Sequence, residues 1–150
     1  MIALDTNILV RARREEAPHH IEARRLLEQL ANGREPWAIP WPCIYEFLRV
    51  VTHPRICDPP TPIDTALEDL ESLFRSPSLV LLGEGPGHRG HLVRTVGSGR
   101  ATGNLVHDAH IAALALEHGV SELLTGDWDF ARFPALRSRD PFRGSGPLPA

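Results

Sequence analysis

The segment Met1-Ile2-Ala3-Leu4-Asp5-Thr6-Asn7-Ile8-Leu9-Val10 decides how the rest of the chain is read. Its apolar run Ile2-Ala3-Leu4 predicts a short buried strand that delivers the Asp5 carboxylate at its C-terminal end. Thr6 or Asn7 is then placed to cap the helix that resumes with Ile8-Leu9-Val10. Ligands of an open α/β sheet bind at the carboxyl ends of its strands. An Asp can also simply cap a helix, so Asp5 gains functional meaning only if other acids reach the same edge.

Further strands and helices alternate. His20–Ala31 predicts an amphipathic helix stopped by Gly33, and Trp37-Ala38-Ile39 a second strand ended by Pro40. Trp41–Thr52 reads as a helix with Pro42 tolerated in its first turn. After the rigid loop Asp58–Pro62 comes another amphipathic helix, Ile63–Arg75. Ser78–Leu82 is a continuous apolar run bounded by turn residues, which predicts a buried parallel strand. A loop, a helix over His88–Val96 and a flexible link over Gly97–Gly103 follow. Leu105–Glu117 is the clearest helix, capped by Asn104 and ended by Gly119. A fourth strand, Glu122–Thr125, opens into Gly126-Asp127-Trp128-Asp129-Phe130. The alternation predicts an α/β fold with a central, mainly parallel sheet and helices on both faces.

Composition bounds the function. The 150 residues suit a single domain over 1–150, with 137–150 an irregular tail rich in Pro, Gly and Arg that is expected to be partly disordered. No apolar run approaches the ~20 residues of a membrane span, and no charged lead-in with an apolar core marks a signal peptide. A cytoplasmic protein is expected. Cys43 and Cys57 form no CxxC pair and read as reduced, buried thiols. A net charge of −3 leaves nucleic-acid affinity to a local patch or a bound cation. All 16 basic residues are Arg. Without Lys there is no P-loop and no Schiff-base chemistry, and phosphoryl-aspartate enzymes lose their usual cation.

The remaining acids then matter. Glu46 lies at the margin of the apolar stripe of its helix, Asp108 in the first turn of the clearest helix, and Asp127 and Asp129 just beyond the fourth strand. Each has an ordinary explanation: Asp108 complements the helix dipole, and Asp127 and Asp129 favour a turn. In a parallel sheet, however, strand C-termini and helix N-termini share one edge. Carboxylates converging there repel by about 4 kcal/mol per pair at ~4 Å and an effective dielectric of ~20. A cation relieves that repulsion, and an all-oxygen donor set selects Mg²⁺ or Mn²⁺. Such ions suit phosphodiester hydrolysis.

These residues resemble the PIN-domain nucleases. The opening Met1–Val10, the Glu46 helix, His107-Asp108-Ala109-His110-Ile111-Ala112-Ala113-Leu114-Ala115 and Thr125-Gly126-Asp127-Trp128-Asp129-Phe130 fall in that family's order and spacing. Arg132-Phe133-Pro134-Ala135-Leu136 is similar to the VapC-type toxins of type II toxin–antitoxin systems. The resemblance implies a three-layer α/β/α domain that binds Mg²⁺ or Mn²⁺ and cleaves RNA. It implies Asp5, Glu46, Asp108 and Asp127 as the catalytic, metal-binding acids, with Asp129 supporting. Thr6 or Asn7 would hold the site through hydrogen bonds. A VapB-like antitoxin and a homodimer are the implied partners, and the implied products carry 5′-phosphate and 3′-hydroxyl ends.

Other readings stay open beside it. Arg11, Arg13 and Arg14 are candidate RNA contacts or simply a solvated helix face. His107 and His110 stand at i, i+3, but no third nitrogen or sulfur ligand is in view; His107 is expected to line the cleft. Trp37, Trp41 and Trp128 could stack bases, although packing explains the first two. A PIN-like module that binds RNA or a partner without cutting is the alternative to a nuclease. A phosphatase with Asp5 as nucleophile is a further rival, weakened by Asn7 where a second Asp is expected.

Overall fold

A computed structural model of the chain describes residues 1–144. Its centre is a five-stranded, wholly parallel sheet in the order β3-β2-β1-β4-β5. The strands are β1 (Ile2–Leu4), β2 (Trp37–Pro40), β3 (Leu79–Leu82), β4 (Glu122–Leu124) and β5 (Ser138–Arg139). Six α-helices flank the sheet: α1 (Thr6–Arg13), α2 (His20–Asn32), α3 (Trp41–Val51), α4 (Ile63–Phe74), α5 (His88–Gly99) and α6 (Leu105–Glu117). A short 3-10 helix covers Trp128–Arg132. The expected α/β/α architecture is present.

The first strand lies in the middle of the sheet. Ala3 and Leu4 are fully buried, and β1 pairs with β2 on one side and β4 on the other. The chain moves outward from β1 through β2 to β3, then returns to β4 and β5 on the opposite side. Strand order therefore reverses between β1 and β4, which creates a crevice at their carboxyl ends. Around this axis pack Ile8, Trp37, Ile39, Leu82, Ile111, Leu114, Leu123, Phe130 and Phe133. Both cysteines are free and buried, as expected. The four alanines of α6, Ala109, Ala112, Ala113 and Ala115, have no exposed surface. Their small side chains let the helix lie close to its neighbours.

Several expectations need correction. Asp5 itself caps α1, accepting from the Thr6 backbone N–H, so neither Thr6 nor Asn7 is the cap. The Leu79–Leu82 strand is the sheet edge, and Val80 is exposed. A continuous apolar run did not distinguish a central strand from an edge whose outer flank is open. Helix α5 runs three residues past Val96 to Gly99, into the expected link. The bare Cα of Gly99 packs against the Phe133 ring, and that contact holds the last turn. Asn104 makes no side-chain cap bond to α6, whereas Gly119, at φ +68°, ends that helix as read. Part of the tail forms a fifth strand, with Leu123 and Thr125 N–H groups donating to the Arg137 and Arg139 carbonyls. The disorder expected farther on concerns residues 145–150, outside the described residues. Among the described residues, no helix is long and apolar enough to cross a membrane.

Candidate active site

The β1 and β4 ends are joined by side chains as well as by strand pairing. Leu4 and Leu124 are in register, so Asp5 and Thr125 emerge side by side. The Thr125 hydroxyl donates to Asp5 Oδ2 at 2.6 Å and accepts from Asn7 Nδ2 at 3.1 Å and from the Asp127 N–H at 3.0 Å. Asn7 Nδ2 also donates to Asp5 Oδ2 at 2.8 Å, and its Oδ1 accepts from the Gly126 N–H at 2.8 Å. On the other carboxylate oxygen, Asp5 Oδ1 accepts from the Thr6 N–H at 2.7 Å, with the Cys43 thiol donating from 3.6 Å. Both oxygens of this buried acid are therefore engaged.

Burial raises the Asp5 carboxyl above its ordinary value, while the bonds from Thr125, Thr6 and Cys43 oppose that rise. The Cys43 thiol is pushed well up by burial and by Asp5, which keeps it protonated and donating. This arrangement disfavours Asp5 as a free nucleophile.

The acids that converge most tightly are Asp108, Asp127 and Asp129. One carboxylate oxygen from each lies within 4.8 Å of the others. Asp127 caps the 3-10 helix by accepting from the Asp129 N–H at 2.9 Å, which fixes the two relative to each other. Asp108 is carried to them by the first turn of α6. Its carboxyl is pushed up to about 7, first by burial, then by the charges of Asp127, Asp5, Asp129 and Glu46. The charges of four other acids thus all disfavour a further negative charge at Asp108.

Glu46 lies outside the triad of Asp108, Asp127 and Asp129, accepting from Arg49 at 2.7 Å and facing His107 Nε2 at 3.4 Å. Glu46 and His107 both line a groove with Trp41, Tyr45 and His110. His110 instead bonds Glu84 at 2.9 Å and lies edge-on to His88, so it does not pair with His107 on a metal.

The arginine cluster after β1 is largely committed within the fold. Arg13 makes a bidentate pair with Asp69, and Arg14 bonds Glu16 and Thr61. Arg11 is held as well: its guanidinium pairs with Asp140 at 3.8 Å, packs over Phe142 and lies beside Gly126, where an added Cβ would meet its Nη2 at 2.7 Å. Of the tryptophans, Trp37 is fully buried, Trp41 stacks on Tyr45, and Trp128 is 68% exposed under Arg143. A cavity of about 580 Å³ near Arg13, Asp69 and Leu73 lies apart from the acids. The acids occupy the open switch-point crevice, where the chemistry is better supported.

Residue reading did not assign roles to Thr125 and Cys43. Thr125 had a signal: it follows β4 as Asp5 follows β1, so parallel pairing brings the two together. Cys43 had none, since a helix residue beside Pro42 looks like ordinary core.

An all-oxygen set that includes an acid as strained in charge as Asp108 fits a hard divalent cation. Asp108, Asp127 and Asp129 offer the closest donors, and the charges of Asp5 and Glu46 add to the repulsion at Asp108.

Comparison with known proteins gives the family and the fold. Residues 2–136 match the PIN domain family. Among curated relatives, the chain is similar to Ribonuclease VapC48 of Mycobacterium tuberculosis, 35% identical over 93% of this chain and 97% of that protein. It is also similar to Ribonuclease VapC43 of the same organism, at 38% over 96% and 97% of the two chains. Among solved structures, VapBC2 from Rickettsia felis bound to a promoter DNA fragment superposes with a TM-score of 0.67 and 21% identity. The alignment covers 93% of this chain and 98% of that one. The sarcin-ricin loop cleaving toxin VapC20 of Mycobacterium tuberculosis gives a TM-score of 0.62 at 16% identity, covering 87% and 93%. At these identities the structural likenesses establish the fold.

Proposed function

The chain belongs to the PIN domain family, and from that membership we propose a divalent-metal-dependent endoribonuclease, the toxin of a toxin–antitoxin pair. The observation that carries this reading is the convergence of the Asp108, Asp127 and Asp129 carboxylates at the sheet's switch point. Curated relatives along nearly the whole chain are named as VapC ribonucleases, which gives the acidic crevice its substrate class. The VapBC likeness supports a VapB-like antitoxin as partner; a homodimer is proposed beside it as the working form.

In this reading Asp5, Glu46, Asp108 and Asp127 are the catalytic and metal-holding acids, and Asp129 supports them. A bound Mg²⁺ or Mn²⁺ supplies Lewis acidity toward water and the scissile phosphate. The chain's own residues do the positioning. Thr125 and Asn7 hold Asp5 and the Gly126–Asp127 backbone as one unit. Asp127 fixes Asp129, and α6 presents Asp108 from the opposite wall. His107 and Arg49 orient Glu46. Of the three arginines proposed for RNA contact, Arg11 lies beside Gly126 but is already paired with Asp140.

The test compares the wild type with Asp108→Asn on total RNA, with Mn²⁺ and with EDTA. The expected result is cleavage by the wild type alone, stopped by EDTA, leaving 5′-phosphate and 3′-hydroxyl ends. Ends carrying 2′,3′-cyclic phosphate would reject the hydrolytic route. Identical uncut lanes, together with no Mn²⁺ binding by calorimetry, would favour a non-cutting binding module.

A further inference from the structure

A second group of ligating side chains lies away from the acidic cleft. Glu84 in the β3–α5 loop, His88 at the start of α5 and His110 on α6 each offer one ligand atom, all within 4.8 Å of one another. His110 Nε2 and Glu84 Oε1 are 2.9 Å apart, and the two imidazole rings meet edge-on with centroids 5.4 Å apart. We propose that Glu84, His88 and His110 form a site for a borderline transition-metal ion of the Zn²⁺ type, separate from the acidic site.

Donor chemistry is the first support. Two imidazoles and a carboxylate form a three-ligand zinc set that leaves a fourth position for water. The imidazoles favour Zn²⁺ over Mg²⁺, the reverse of the all-carboxylate cleft. A tetrahedral ion sets its ligand atoms about 3.3 Å apart, so closure needs only small side-chain adjustments. Glu84 is largely exposed and can make them.

The surroundings of His88 are the second support. Its Nδ1 is buried with no hydrogen-bond partner, and the nearest charge is Glu117 Oε2 at 3.6 Å. Glu117 is itself held by the Gly85 N–H at 3.2 Å and the Gly87 N–H at 3.0 Å. The carboxylate stands behind Nδ1 just beyond hydrogen-bond reach, and closing that gap would orient Nε2 toward an ion, as metal-bound histidines are commonly oriented. Space is reserved for this carboxylate, because a Cβ at Gly85 would meet Glu117 Oε1 at 2.6 Å.

The two centres share α6 without sharing a face. Asp108 and His110 are two residues apart, hence separated by ~200° around the helix. An ion at the second site would fasten the β3–α5 loop and the first turn of α5 to α6. Two of its ligands, Glu84 and His110, also line the groove that Glu46 and His107 line.

The experiment titrates Zn²⁺ alone into the full chain by calorimetry, alongside Glu84→Gln, His110→Gln, Glu117→Gln and Asp108→Asn. The expected result is one Zn²⁺ per chain that persists in Asp108→Asn. It should be lost in His110→Gln and Glu84→Gln, and weakened about tenfold in Glu117→Gln. Replacement by Co²⁺ should give a four-coordinate visible spectrum that His110→Gln abolishes. Glu84 is exposed, so its variant keeps the fold and decides the matter even if a histidine variant does not. No Zn²⁺ uptake, or uptake that Asp108→Asn removes and Glu84→Gln leaves intact, would overturn the proposal.

Discussion

The Thr125 hydroxyl serves four groups with one oxygen: Asp5, Asn7 and the Asp127 N–H directly, and Gly126 through Asn7. Thr125→Val keeps the volume and removes the donor and acceptor together. Leaving buried polar groups unsatisfied costs about 1–3 kcal/mol. Urea denaturation should show that loss, with RNA cleavage falling in parallel; unchanged stability would mean that water replaces the hydroxyl. Asp108 gives a second expectation through its carboxyl at about 7, well above an ordinary 3.8. The folded chain holds this proton more tightly than the unfolded chain. Its contribution to stability is therefore full below about pH 4 and is lost as pH rises through about 7. Melting of EDTA-treated protein should show the wild type losing Tm relative to Asp108→Asn across that window. A gap between the two that does not change with pH would contradict the assignment.

At the scale of elements, what was legible depended on whether a local pattern or a distant contact decided the outcome. Helices α2, α3, α4 and α6 carry their own apolar stripes and were legible to within a residue or two. β5 is only Ser138–Arg139, with no alternation to reveal it; it exists because β4 offers an open edge. The last turn of α5 likewise depends on a residue far along the chain. A Cβ at Gly99 would lie 2.5 Å from Phe133 Cε1 and 3.2 Å from the Arg132 carbonyl. Gly99→Ala should therefore destabilise the protein by about 1–3 kcal/mol through overpacking, despite the better helix propensity of Ala. Thermal melting checks it, and a raised Tm would show that propensity wins. The candidate site divided in the same way. Its acids were visible as residue types at strand and helix ends. That a carboxylate oxygen of Asp129 lies within 4.8 Å of those of Asp108 and Asp127 could be read only after the Asp127 cap was in place.

For the whole molecule, the acids add charge repulsion at the one crevice that the parallel topology creates. A divalent ion that binds only the folded chain should stabilise it by mass action, by about 2.7 kcal/mol at 100 times the dissociation constant. Mn²⁺ should accordingly raise the wild-type Tm, and Asp108→Asn with Asp127→Asn should remove the rise. An equal rise in the double variant would place the stabilising ion elsewhere. The domain's class was legible from alternation alone, because parallel sheets need crossover helices. Strand order was not, since it depends on which edges meet in three dimensions. That order also sets a timetable during synthesis. The strand made first is the central one, and the bond that completes its end comes from Thr125, 120 residues later. A ribosome making this chain therefore carries the central strand long before Thr125 is available to complete its end. An inhibitor that recognises the finished crevice would have nothing to grip until the last stretch emerges.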